Sequence, residues 1–163
     1  MQDMEDYLQI MIDSLNKKKE LLKSIVEKNN RQRACIENKS FDDVDWNAFN
    51  VLITEKEFVI DRINKMDEGF QSLYDRVKEQ INEGKEKYAS SIKIIQGLIQ
   101  EITDLGVAIR TSEERNRQLI ETVMMGRKSE IKKTRNSLKV ARSYFDTMRG
   151  GDTTNLSTMD KKK

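Results

Sequence analysis

From Leu8 to Met148 an apolar residue returns every three or four positions, and no proline interrupts the 163 residues. That period gathers apolar side chains on one face of a helix, and the lack of proline lets such a helix run on. Between Phe49 and Val123 the spacing tightens into heptads. Phe49, Ile63, Phe70, Val77, Leu98, Leu105 and Leu119 share one heptad position, while Ile53, Ile60, Tyr74, Ile81, Tyr88, Ile95, Ile102, Ile109 and Val123 lie four places on. The pattern predicts long rods that bury one narrow seam against each other. Such a chain offers rods and grooves to partners rather than a deep pocket to a small substrate.

Charged residues make up 36% and aromatics 6%, the balance of exposed helical rods rather than of a thick globular core. Seven glycines and no proline exclude a turn-rich β fold. No stretch approaches the roughly 20 apolar residues of a membrane span. The acidic start, Met1 to Asp6, lacks the basic and apolar regions of a secretory signal, so a cytoplasmic address is expected. Cys35 is the single cysteine, which excludes an internal disulfide and leaves a structural or indifferent thiol. With no histidine in the chain, neither His-based acid–base chemistry nor the commonest metal ligand is at hand. There is no Gly-rich phosphate loop or metal-ligand cluster either, so neither enzyme activity nor a cofactor is expected.

The net charge of +2 hides an asymmetry: residues 1–84 carry 13 basic against 18 acidic side chains, and residues 85–163 carry 17 against 10. Much of the excess lies in 127–149, where eight basic residues face only Glu130 and Asp146. An acidic partner surface is more plausible there than elsewhere. Those basic residues are not interleaved with stacking aromatics and accompany no helix-turn-helix or zinc pattern, which argues against nucleic acid.

The spacing predicts helices over about 3–38, 46–82 and 85–148, in one helical domain spanning 1–148. Leu8, Met11, Leu15, Leu22, Ile25 and Ile36 trace the first stripe; Asn29 interrupts it as a solvated or register-setting polar residue. Lys17, Lys18 and Lys19 read as a solvated face. Asp43 or Asp45 caps the second helix, with Phe41 folding back onto Trp46 or Phe49 as a staple. Gly69 and Gly84 both offer helix ends; continuity of the heptads favours a turn at Gly84 and an irregularity at Gly69. The third helix is the longest, and the part beyond about Leu119 is expected to have no partner within the chain. A flexible tail is expected over 149–163. The fold class is all-α: an elongated antiparallel helical hairpin or three-helix coiled-coil bundle with a long C-terminal helix and a disordered tail.

Tyr7-Leu8…Leu15, Glu55-Lys56-Glu57, Asp67-Glu68-Gly69-Phe70 and Glu113-Glu114-Arg115-Asn116 resemble the FlgN family over about residues 4 to 148. These are flagellar type III export chaperones for the hook–filament junction (hook-associated) proteins, and the chain looks like the Gram-positive type. The resemblance implies a cytoplasmic chaperone. It would bind the C-terminal segments of those proteins, prevent premature assembly and deliver them to the flagellar export apparatus. No nucleic acid and no stable membrane insertion are implied. The family's cargo-contacting region maps onto Arg115, Asn116, Leu119, Ile120, Val123, Met124 and Met125. Adjacent methionines also supply an adaptable apolar surface, although seam filling is an equal reading of the pair. Some chaperones of this class dock on the export gate through a C-terminal tyrosine, for which Tyr144 is the candidate here; a solvated boundary tyrosine is the alternative. A structural, self-associating coiled coil is the competing function.

Overall fold

The computed structural model describes residues 3–149, and those residues form three helices with no strand among them. Helix α1 spans Met4–Ile36, α2 Trp46–Glu83 and α3 Ala89–Arg149. The expected tail lies outside the described residues apart from Arg149, which closes α3. At about 1.5 Å per residue the rods measure about 50, 57 and 92 Å.

Each end is set by local chemistry. The Asp3 carboxylate accepts the Asp6 N–H at 3.0 Å and starts α1. After Ile36 the chain leaves the helix through Asn38, whose φ of 60° is a left-handed conformation that asparagine tolerates better than most residues. A single 3-10 turn, Phe41–Asp43, leads to Asp45, whose carboxylate accepts the Ala48 N–H at 3.0 Å and caps α2. Phe41 folds back as a staple, its ring 5.1 Å from that of Trp46, and the indole N–H donates to the Phe41 carbonyl at 3.0 Å.

Helix α2 passes through Gly69 unbroken, so the expected irregularity there is absent. It ends at Gly84, but not in a left-handed conformation: φ is −108°. What Gly84 supplies is closeness, since a Cβ there would stand 2.8 Å from the Tyr88 ring. The Tyr88 N–H donates to the Gly84 carbonyl, and residues 84–88 form a turn rather than the first turn of α3. Helix α3 therefore starts at Ala89, four residues later than the spacing predicts.

Helix α1 is the shared partner of the other two, antiparallel to α2 and parallel to α3. Three apolar clusters line it. Leu8, Met11 and Leu15 meet Val77, Ile95 and Leu98 at one end. Ile25 meets Val59 and Ile63 in the middle. Ile36, Val44, Phe49 and Val123 close the other end, with half-buried Cys35, Phe41, Trp46, Leu119 and Ile120 around them. The lysine run is not simply solvated. Lys18 reaches Asp67 of α2 at 2.7 Å and Lys19 reaches Glu101 of α3 at 3.1 Å, so neighbouring residues tie α1 to both flanking rods.

In α2 the second buried row differs from expectation. Ile53, Ile60 and Tyr74 are 37%, 45% and 41% exposed, whereas Leu52 and Val59 are buried and Leu73 is half-buried. The seam alternates steps of three and four through Phe49, Leu52, Lys56, Val59, Ile63, Met66, Phe70, Leu73 and Val77, the alternation that keeps a rod facing its neighbour. In α3 the expected rows are both on the seam, which runs from Ile95 to Val123.

A polar layer, a closed corner and an open helical face

Four of the polar residues that interrupt the apolar stripes are brought together by the fold. Asn29 of α1, Lys56 of α2, and Ser112 and Asn116 of α3 are buried in one layer. Asn29 is wholly buried; its side-chain oxygen accepts from Lys56 Nζ at 2.8 Å and its Nδ2 donates to Ser112 Oγ at 2.8 Å. Asn116 Nδ2 donates to the Asn29 carbonyl at 2.9 Å, and Ser112 Oγ donates to the Ile109 carbonyl at 2.9 Å. Lys56 also reaches the more exposed Glu113 carboxylate at 2.9 Å. Every member has a partner, which is the condition for a buried polar layer to be tolerated. Asn29 is thus the register-setting residue of its two expected roles, because only one alignment of the three rods brings these groups into reach.

The expected partner residues are distributed over three settings. Arg115 and Asn116 belong to this layer and its margin: Asn116 is 3% exposed, and Arg115 donates to Asn30 Oδ1 at 3.4 Å. Leu119, Ile120 and Val123 pack under the corner between α1 and α2, with Val123 7% exposed. The expectation that α3 is unpartnered from Leu119 onward is therefore corrected. The corner residues 37–45, ignored when rod lengths are compared, fold over α3 and cover it as far as Val123. Arg127 adds a further tie, its guanidinium 3.8 Å from the centre of the Phe41 ring. Met124 and Met125 follow directly, 38% and 69% exposed.

Beyond that point about 26 residues of α3, about 39 Å, extend past the corner. The seam stops because its in-phase continuation is Gly126, Glu130, Lys133 and Ser137. A new stripe begins one residue out of phase, turned by about 100° around the helix. Met124, Ile131, Leu138 and Phe145 recur every seven residues, joined by Ala141 and Met148 on the adjoining row. Leu138, Phe145 and Met148 are 44%, 52% and 68% exposed. Of this row only Met124 is among the expected partner residues, although the period of seven is visible in the sequence. Tyr144 is exposed, stands beside the stripe rather than on it, and meets Phe145 edge-on at 6.1 Å.

On the exposed face of α3 within the bundle, Arg117 ties Glu114 and Glu121. The Arg117 hydrogen bond to Glu114 is the largest influence and, with the Arg117 charge and a bond from Gln118, holds that carboxyl below its ordinary range against the opposing desolvation. A separate apolar groove of about 900 Å³ opens between the end of α2 and the start of α3, lined in part by Met11, Tyr74, Ile92 and Ile99. Among the described residues no cluster of His, Cys, Asp and Glu has the arrangement to hold a metal ion, and no helix is long and apolar enough to cross a membrane.

No curated protein and no solved structure matches the chain. The family model described as FlgN protein matches residues 1–150. That span is most of the 163 residues, and this chain, an all-α three-helix rod, belongs to the FlgN family of flagellar export chaperones, which is not an enzyme family.

Proposed function

We propose that the chain acts in the cytoplasm and holds the C-terminal segments of hook–filament junction (hook-associated) proteins on the projecting part of α3. It keeps them from assembling early and delivers them to the flagellar export apparatus. The observation that carries this reading is the heptad row Met124, Ile131, Leu138 and Phe145 on the part of α3 beyond the corner, with Met124 and Leu138 exposed and Ile131 half-buried. A helical guest laid along that row buries apolar surface on both sides at about 25 cal/mol per Å².

Residues of the expected interface divide the work. Met124 and Met125 offer adaptable apolar contact. Leu119, Ile120 and Val123 anchor the root of the helix under the corner, and Asn116 and Arg115 hold the register behind it. Tyr144, outside the stripe, remains available to the export gate while the stripe is occupied.

Calorimetric titration of the full chain with a C-terminal fragment of a hook-associated protein tests this. Affinity at or below the micromolar range is expected, lost by at least about tenfold in Leu138→Asp, which puts a charge into the contact. Unchanged affinity in Leu138→Asp and Met124→Asp would remove the site from α3. A tight dimer that persists with cargo and resists both substitutions would instead favour a structural coiled coil.

A further inference from the structure

Beyond Val123, α3 carries most of its basic residues in register with its apolar stripe and on one side of it. Counting Met124, Ile131, Leu138 and Phe145 as the first heptad position, the fifth position is basic in every heptad: Lys128, Arg135, Arg142 and Arg149. Lys132 and Lys139 follow on the second position, behind that row on the same flank, ahead of Asp146, while Lys133 stands behind the opposite flank. The seventh position, on the opposite flank, reads Glu130, Ser137 and Tyr144 and carries a single charge. In paired helices the fifth and seventh positions border the seam, and their charges select the partner.

We infer that the segment recognised here is an amphipathic helix of the export substrate bearing carboxylates along one flank of its apolar stripe. This deepens the proposed function and rests on its placing cargo on α3. A second copy of this chain is a poor occupant: laid antiparallel, it would set basic row against basic row, and laid parallel, it would meet few acids. A lipid surface is also a poor match. An interfacial helix presents a broad apolar face of period 3.6 with cations snorkelling on both sides, whereas this stripe is narrow, heptad-spaced and basic on one flank. Carboxylates facing Lys128, Lys132 and Lys139 would fix the direction in which the guest lies and speed its capture.

The probes are three synthetic helical peptides of about 21 residues, three heptads with one leucine stripe, differing only in one flank: all Glu, all Gln or all Lys. Titrated into the full chain at low salt, the Glu peptide should bind about tenfold tighter than the Gln peptide, from three exposed ion pairs at a factor of about two each. The Lys peptide should bind more weakly than either, and the differences should shrink as salt screens them. In the Lys128→Glu/Lys132→Glu/Lys139→Glu variant the order should invert. Equal affinity for all three peptides would overturn the inference yet leave apolar docking on α3 intact. Insensitivity of a hook-associated fragment to Leu138→Asp would strike the docking site itself. Tighter binding to anionic phosphatidylserine vesicles or to duplex DNA than to the Glu peptide, or self-association that excludes it, would overturn the inference in favour of those partners.

Discussion

Replacing Lys56 by Met retains the length of the side chain but removes the ammonium that the Asn29 side-chain oxygen and Glu113 share. The Glu113 side chain is 47% exposed and rehydrates at little cost. The Asn29 oxygen sits on a wholly buried residue and loses its only side-chain donor. A hydrogen bond to a charged group contributes about 1.5–3 kcal/mol, partly offset because the ammonium no longer has to be desolvated. A net loss of about 2 kcal/mol follows for Lys56→Met. Asn29→Leu is worse, about 3 kcal/mol, because it leaves a buried ammonium with only one of its two acceptors, Glu113, and removes the bond to Ser112. Together the two changes convert the centre of the layer to apolar packing, and the double variant should lose only about 2 kcal/mol, a coupling of about 3 kcal/mol. Urea unfolding at constant m-value measures all three, and Lys56→Met should lower Tm by about 4–8 °C. Additive losses in the double variant would refute the account of the layer as one unit. The double variant should also lose uniqueness of alignment, read as broadened amide spectra.

Other consequences follow from the same contacts. Phe49→Ala, which empties the corner against Ile36 and Val123, should cost about 3–5 kcal/mol by urea unfolding; a loss under about 1 kcal/mol would mean that the corner is not a core. Leu138→Asp should leave thermal stability within about 0.5 kcal/mol of the parent, since the residue is exposed, while cargo affinity falls. Tyr144→Ala should leave cargo affinity unchanged and reduce flagellar export of the cargo in cells; equal export would remove its docking role. The Glu114 carboxyl, held low in the folded chain, contributes stability above its ordinary range that disappears as pH falls through its depressed value. The difference between Glu114→Gln and the parent should therefore be present at neutral pH and vanish in acid; a gap that widens in acid would reverse the sign.

The heptads announced long rods, but α2 contains adjacent apolar pairs: Leu52-Ile53, Val59-Ile60 and Leu73-Tyr74. Period alone cannot choose between the members of such a pair. Contact with α1 does, taking the first of each, and leaving Ile53, Ile60 and Tyr74 outward. The polar layer was legible only as gaps in three separate patterns, and its closure depends on the register between rods, which no single pattern encodes. The excess length of α3 was readable from spacing. Its root was misplaced by about four residues because the corner, with no periodicity of its own, lies over Leu119, Ile120 and Val123. The stripe beyond it lay one residue out of phase with the seam, so counting apolar returns across that slip merged two faces into one.

Amide hydrogen exchange of the full chain, free and saturated with a C-terminal fragment of a hook-associated protein, tests the central claim most directly. Free protein should show slow exchange within α1, in α2 and in α3 up to Val123, and fast exchange from Lys128 onward, with protection spreading along Met124–Met148 only when cargo is bound. Contradiction would come from a free chain already as slow beyond Lys128 as before Val123, or from cargo-induced protection confined to the groove lined by Met11, Tyr74 and Ile99.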